Sequence, residues 1–166
     1  MDEPDSHPLL WWAIPGVLAG MPMPYLDPHR RLNLGGEWSA YDDEMQVLHK
    51  AGVRAVTALI EIQSDKAVYS SAGFDFLCLP IPNGFPPSDE QAGQFVAFVN
   101  EMRSQNRPVA VHCEAGWGRT GTVIAVYLIS QGDSLEAAVK RIRAVQPRAI
   151  ETDRQYKFLE EFAATI

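Results

Sequence analysis

Short apolar segments and segments with helical periodicity alternate along the chain. The first two apolar segments, residues 9–14 and 17–20, flank a Pro-Gly pair and predict two short strands joined by a turn. Helical spacing of apolar residues predicts a first helix over residues 39–51, closed by Gly52 in the position of a C-cap. A strand, a short helix and another strand are then predicted over residues 53–60, 64–72 and 74–81.

The second half of the chain continues this alternation and then becomes helical. Ser88 and Thr152 each begin the Ser/Thr-x-x-Gln pattern of a capping box, which predicts the start of a helix. The predicted elements are a helix to about residue 106, a strand over 109–111 and helices over 122–130, from about 134 and from 152. Strands alternating with helices predict an α/β domain with a central, mostly parallel sheet of about four or five strands flanked by helices.

Residues 21–36 interrupt the pattern and predict a loop insertion. They combine Pro22, Pro24 and Pro28 with a His-Arg-Arg triplet and a Gly-Gly pair. Loops longer than about 12–15 residues in compact domains are often functional, so this segment could cover a site, and the alternative is a solvated insertion without a role. The chain as a whole, residues 1–166, is predicted to be a single domain.

Composition and charge limit the kinds of molecule that the protein is expected to bind. With 46% hydrophobic and 21% charged residues, the chain has the composition of a globular protein, and its net charge of −7 argues against binding nucleic acid or an anionic membrane along its surface. No apolar run approaches the ~20 residues of a membrane helix, and the acidic N-terminus is unlike a secretory signal. Only two cysteines occur, which suits a reducing compartment. We therefore expect a cytoplasmic monomer.

Candidate chemistry concentrates in residues 112–121, His-Cys-Glu-Ala-Gly-Trp-Gly-Arg-Thr-Gly, between a predicted strand and a predicted helix. A glycine-rich loop in that position gathers backbone N–H groups around an anion. A free thiol is only a few per cent ionised at neutral pH, so Cys113 needs groups that stabilise a thiolate. The helix dipole, the Thr120 hydroxyl and the Arg119 guanidinium could supply them. The phosphate-binding N–H groups are those of Glu114, Ala115, Gly116, Trp117, Gly118 and Arg119.

This segment resembles the His-Cys-x5-Arg-Ser/Thr-Gly loop of the protein tyrosine phosphatase superfamily. Its flanks are similar to those of the small atypical dual-specificity phosphatases over residues 12–20, 52–54, 80–82 and 148–152. The resemblance implies that Cys113 is the nucleophile that forms a phosphocysteine and that Arg119 clamps the phosphate oxygens. It further implies that Thr120 donates a hydrogen bond to the sulfur and that His112 orders the loop, with no metal and no cofactor. The alternative for Cys113 is an inert buried thiol.

The chain departs from the family at Asn83, which stands where the resemblance places a general-acid aspartate. Asparagine cannot protonate a leaving oxygen, and general acid catalysis contributes ~10²–10⁴-fold. One reading is that Asp89 or Glu90 substitutes, although acids are common in a first helical turn for the dipole alone. The other readings are that Asn83 was introduced to slow turnover, or that it is natural and the protein binds phosphate more than it cleaves it.

Two interpretations are open for each of three further residues. Glu151 lies at a point that the resemblance brings near the loop, where it could orient the hydrolytic water, and the alternative is helix capping. Cys78 shares a predicted strand face with phenylalanines, so it is a small core residue or the partner of Cys113 in a reversible disulfide. Trp117 either lines the entrance and stacks on an aromatic substrate or packs beneath the lid loop.

The predicted function is hydrolysis of phosphomonoesters. Glu114 and Trp117 stand where phosphoinositide-cleaving relatives carry lysines, so polyanionic lipids are disfavoured. The predicted substrate is phosphotyrosine in a protein, extending to phosphoserine and phosphothreonine, or a small aryl or alkyl phosphate. The alternative is a catalytically weak pseudophosphatase that binds phosphoproteins.

Overall fold

A five-stranded sheet with helices on both faces organises the chain in the computed structural model, which describes residues 10–23, 39–61 and 63–166. The strands are β1 (Trp11–Ile14), β2 (Leu18–Met21), β3 (Ala55–Ala58), β4 (Asp75–Cys78) and β5 (Val109–His112). The helices of the described residues are α1 (Ser39–Lys50), α2 (Gln63–Ser71), α3 (Asp89–Ser104), α4 (Gly118–Ser130), α5 (Leu135–Val145) and α6 (Asp153–Ala164). No helix among them has both the length and the apolar character needed to cross a membrane.

The strand order is β1-β2-β5-β3-β4, with β5 at the centre of the sheet. β1 pairs antiparallel with β2, and the β2–β5, β5–β3 and β3–β4 pairs are parallel. The prediction of an α/β fold with a mostly parallel sheet is therefore confirmed. The last residue of β5, His112, lies between Met21 of β2 and Ala58 of β3. Whatever follows β5 is thus placed at the carboxyl edge of the sheet, where open α/β sheets bind ligands.

The two faces of the sheet carry separate apolar clusters. The larger cluster joins α3, α4, α5 and α6 to one face, and the smaller one joins α1 and α2 to the other. Every residue of α4 from Gly118 to Ile129 is buried, which explains why this helix lacks a polar stripe. On α3, the predicted apolar side is buried through Phe95, Val99 and Met102.

The predicted capping boxes are confirmed, whereas several helix and strand boundaries differ from the predicted ones. The capping boxes of Ser88 and Thr152 are both formed. The predicted strands over 53–60 and 74–81 shorten to β3 and β4, because their flanking residues leave the paired ladder. α4 begins four residues earlier than the predicted 122, because the Gly-Arg-Thr-Gly segment is already helical. Met21, assigned to the insertion, belongs to β2. Residues 24–36 of that insertion lie outside the described residues.

Candidate active site

The loop of residues 113–117 connects the central strand β5 to the buried helix α4. Its first residue, Cys113, is only 3% exposed, so the thiol lies at the bottom of the loop. Gly116 has a φ of 81°, a left-handed conformation that favours glycine, and this allows the chain to turn back toward α4. None of the described residues accepts a hydrogen bond from the backbone N–H groups of residues 115–119. The loop therefore presents free donors at a helix N-terminus, as an anion site requires.

The Thr120 hydroxyl lies against the cysteine sulfur. Its Oγ1 donates to Cys113 Sγ over 3.2 Å, and Thr120 is fully buried in the first turn of α4. A hydrogen bond to sulfur favours the negatively charged form of the thiol, as does the positive end of the helix dipole. The sequence prediction that Cys113 and Thr120 come together is thus met by the geometry.

Arg119 is a buried cation at the same point. It is 6% exposed, and its Nη1 donates to the carbonyl oxygen of Ile81 over 2.9 Å. No described carboxylate lies within ion-pair distance of this guanidinium. A buried charge without a counter-ion is costly, so an anion held by the loop would balance it. The Ile81 contact also joins the guanidinium to the segment that carries Asn83.

His112 is held between two partners beneath the loop. Its Nδ1 lies 3.1 Å from the Cys113 carbonyl oxygen, and its Nε2 lies 3.1 Å from the Tyr69 hydroxyl. A carbonyl can only accept, so Nδ1 donates, and a neutral ring then accepts from Tyr69 at Nε2. This orientation fixes the peptide that carries the nucleophile. Sequence reasoning missed Tyr69, because it lies on α2, 43 residues away along the chain.

The chain leaving β2 lies directly against the loop. The Met23 N–H donates to the Glu114 carbonyl over 3.0 Å, and a β-carbon added to Gly116 would overlap the Met21 carbonyl. The start of the predicted insertion, residues 21–23, therefore lies next to the loop. The remainder of that expectation lies outside the described residues.

Glu151 contacts the start of α4. A β-carbon added to Gly118 would overlap Oε1 of Glu151, which places this carboxyl group over the loop. The helix-capping alternative for Glu151 is wrong, because the side chains of Thr152 and Gln155 form the cap of α6.

Asn83 and the two candidate acids lie in different surroundings. Asn83 is exposed and lines an open groove of about 360 Å³ together with Phe85, Asp153 and Arg154. Asp89 and Glu90 are exposed in the first turn of α3, and no described hydrogen bond or ion pair joins either of them to the loop. Nothing in this arrangement supports Asp89 beyond its role in the helix dipole.

The disulfide hypothesis for Cys78 is wrong. Cys78 pairs with Ala58 of β3, and Ala58 pairs on its other side with His112 of β5. Cys78 and His112, the residue before Cys113, are thus two strand spacings apart, about 9–10 Å, and a disulfide bridges only ~7 Å without backbone movement. Cys78 is half-buried on an edge strand and donates to the Ile60 carbonyl over 3.3 Å.

Trp117 is partly buried and packs against the turn that precedes α6. The Arg148 guanidinium lies 4.5 Å from the centre of its ring, and the Trp117 carbonyl accepts from Gly121 and Ile150. Sequence reasoning missed Arg148 as a neighbour of the loop, since nothing local to the Pro-Arg pair indicates which ring it covers.

Comparisons with known proteins show which family the chain belongs to. Residues 33–133, more than half of the chain, match the family described as "Polymorphic toxin system, DSP-PTPase phosphatase". Dual specificity protein phosphatase CDC14AB of Danio rerio is 31% identical over 156 residues, which are 93% of this chain and 24% of that protein. Phosphatidylglycerophosphate phosphatase PTPMT1 of Arabidopsis thaliana is 29% identical over 121 residues, covering 72% of this chain and 36% of that protein. The solved structure of Tk-PTP in its active form superposes with a TM-score of 0.78 at 28% identity, covering 96% of this chain and 99% of that one.

The fold and the comparisons define a small dual-specificity phosphatase of the protein tyrosine phosphatase superfamily. More particularly, the chain belongs to the DSP-PTPase phosphatase family named above. It spans less than two fifths of the length of either curated relative. Within the small atypical dual-specificity phosphatases, the flanking segments predict the greatest similarity to dual-specificity phosphatase 23, and this finer assignment stays a prediction.

Proposed function

We propose that this domain hydrolyses phosphomonoesters without a metal, through a phosphocysteine formed on Cys113. The observation that carries the proposal is the hydrogen bond from Thr120 to the Cys113 sulfur at the N-terminus of a buried helix. A thiol in that position has the electrostatic support that a nucleophilic thiolate requires. The homologues, which are protein and lipid phosphatases, favour catalysis over the phosphoprotein-binding alternative.

The roles follow from the chemistry of each group. The Cys113 thiolate attacks phosphorus, and the loop N–H groups of residues 114–119 together with the Arg119 fork hold the non-bridging oxygens. Thr120 stabilises the sulfur as it leaves in the second step, when water attacks the phosphocysteine. His112 is a positioning residue, because it acts through the Cys113 peptide.

The proposed substrate is a phosphotyrosine in a protein, with small aryl phosphates as surrogates. Glu114 is exposed at the rim of the loop, and the chain carries a net charge of −7, so a substrate with several phosphates would meet repulsion outside the loop. A monoester whose single phosphate enters the loop avoids that repulsion.

The proposal is tested by following hydrolysis of an aryl phosphate in the presence of a chelator. We expect wild-type turnover to persist and Cys113→Ser to lose ~10³-fold or more, because the nucleophile is removed. Cys78→Ser is the matched control, and it should retain activity because its hydroxyl can still donate to the Ile60 carbonyl.

Two results would count against this function. Equal activity in Cys113→Ser and wild type would show that Cys113 is not the nucleophile. A wild type without turnover that gains ~10²-fold or more on Asn83→Asp would favour the phosphate-binding alternative.

A further inference from the structure

The Glu151 carboxyl group has a placement that the fold does not otherwise use. A β-carbon on Gly118 would lie 3.1 Å from Cδ and 3.2 Å from Cγ of Glu151, so the side chain rests on the residue before Arg119. Glu151 forms no ion pair or hydrogen bond through its carboxylate with any described residue. The side chain is exposed while Cys113 is buried, so the carboxyl group lies at the rim of the loop and the thiol at its bottom.

The backbone that carries Glu151 is held in a strained conformation. Ile150 has a φ of 64°, which a β-branched residue rarely adopts. Its side chain is 4% exposed in the main core, and the Arg143 guanidinium donates to the carbonyls of Ala149 and Ile150 over 3.1 and 3.0 Å. Strain of this kind persists where the surrounding structure enforces it, and it concentrates at functional sites.

Further contacts fix Glu151 relative to the Asn83 segment. The Glu151 N–H donates to Oε1 of Gln155 over 2.9 Å, and the Thr152 hydroxyl donates to the Gly84 carbonyl over 2.8 Å. The residue after Glu151 is therefore joined to the residue after Asn83. The backbone of Glu151 is thus held beside the segment that carries Asn83.

We propose that Glu151 is the proton donor to the leaving group, in place of the carboxyl group that Asn83 lacks. This inference rests on the proposed function. In the first step the Cys113 sulfur forms a bond to phosphorus while the bond from phosphorus to the ester oxygen breaks. The electron pair goes to that oxygen, which takes the proton of Glu151. In the second step water attacks phosphorus, the sulfur leaves as thiolate, and the proton of the water returns to Glu151.

In-line displacement places the leaving oxygen opposite the attacking sulfur, which is the exposed side of the loop. A phosphate in the loop and an ionised carboxylate beside it would repel each other, and a proton placed between them removes that repulsion. The charged groups on the neighbouring segments are Cys113 of the loop, Arg119 of α4, Arg143 of α5, Arg148 of the preceding turn, and Asp153 and Arg154 of α6. Of these, Asp153 is the nearest carboxyl group in sequence, and it lines the groove beside Asn83.

The experiment measures phosphocysteine formation in single turnovers, with aryl phosphates of graded leaving-group acidity and one alkyl phosphate. Wild type is compared with Glu151→Gln, with Glu151→Asp and with Asp153→Asn as the matched control. We expect Glu151→Gln to remain close to wild type for the most acidic phenol, which needs no proton. The rate of phosphocysteine formation in Glu151→Gln should fall further below wild type as the leaving group becomes less acidic, by ~10²–10⁴-fold for the alkyl ester.

Glu151→Asp keeps a carboxyl group on a shorter side chain, so it should lose less activity toward the alkyl ester than Glu151→Gln. Activity of both variants toward the most acidic phenol demonstrates that they fold. Equal losses on all substrates, or an unchanged leaving-group dependence, would overturn the assignment, as would the same defect in Asp153→Asn. These results leave the Cys113 chemistry standing, whereas unchanged turnover in Cys113→Ser would remove the proposed function itself.

Discussion

Individual hydrogen bonds fix the position of the Cys113 sulfur and of the Cys113 carbonyl group. The sulfur accepts from Thr120, the Cys113 carbonyl accepts from His112, and His112 in turn meets Tyr69. Each of these groups is buried, where a polar contact is worth more than in water and an unsatisfied one is costly. The thiol is therefore fixed from both of its sides, by the helix that follows it and by the strand that precedes it.

At this scale we predict that Thr120→Val slows breakdown of the phosphocysteine more than its formation. Valine keeps the shape but removes the donor to the leaving sulfur, and loss of one such donor costs ~10²–10³-fold in comparable sites. Rapid-mixing kinetics with an aryl phosphate should show a burst of phenol followed by slow turnover. Thr122→Val is the control, because that hydroxyl is equally buried on α4 but bonds the Gly118 carbonyl. A burst of equal size in both variants would contradict the role of Thr120.

The elements around the loop fit together with little free space. β2 ends against Gly116, the Pro82 segment accepts from Arg119, and the turn before α6 rests on Gly118. The loop is shaped by three segments that are distant in sequence, and glycine occurs where two of them approach most closely. A side chain at Gly116 would meet backbone atoms, whereas one at Gly118 would meet the movable end of Glu151.

We predict that Gly116→Ala destabilises the fold by about 1–3 kcal/mol and abolishes most activity. Its φ of 81° disfavours alanine, and the new β-carbon would overlap the Met21 carbonyl, which cannot yield as a side chain can. Urea denaturation and kcat/KM provide the measurements. Gly93→Ala is the matched control on the exposed side of α3, where no atom lies within 4 Å of the new carbon. Alanine there should raise stability by about 0.5–1 kcal/mol. Similar stabilities for the two variants would refute the steric account.

The molecule combines an acidic composition with a buried cation, Arg119, at the carboxyl edge of its sheet. The net charge is −7, yet Arg119 lies beside free N–H groups without a described counter-ion. Anion binding must therefore take place at the loop itself, and it must depend on the Arg119 guanidinium because the electrostatic field of the negatively charged protein opposes it.

We predict that inorganic phosphate raises the melting temperature of the wild-type protein. Phosphate at 100 times its dissociation constant raises the free energy of unfolding by about 2.7 kcal/mol. For a chain of this size, that raises the melting temperature by roughly 5–10 °C. The shift should fall by half or more in Arg119→Lys, because lysine cannot grip two oxygens at once. Thermal melts with and without phosphate test this. Arg141→Lys, at an exposed arginine of α5, is the control. Equal shifts in the two variants would show that phosphate binds elsewhere.

What the sequence determined by itself is the chemistry that is contiguous along the chain. The nucleophile, the guanidinium, the Thr120 donor and the glycines all lie within residues 112–121, and strand, loop and helix follow from local hydrogen bonding and periodicity. The two capping boxes were predictable for the same reason, because their partners are three residues apart. The alternation of strands and helices was sufficient for the α/β class and for a mostly parallel sheet.

Only the tertiary structure decided what meets that loop from elsewhere. The strand order places β5 at the centre and β3 between the two cysteines, which excludes their disulfide. Tyr69 beneath His112, Arg143 on the turn before Glu151, and the Glu151 carboxyl group over Gly118 have no local signature. These contacts depend on packing between distant segments, where the energy comes from burial of whole helices rather than from spacing along the chain. The missing acid at Asn83 was visible in the sequence and the resemblance brought Glu151 near the loop, whereas the contact of its carboxyl group with Gly118 needed the tertiary structure.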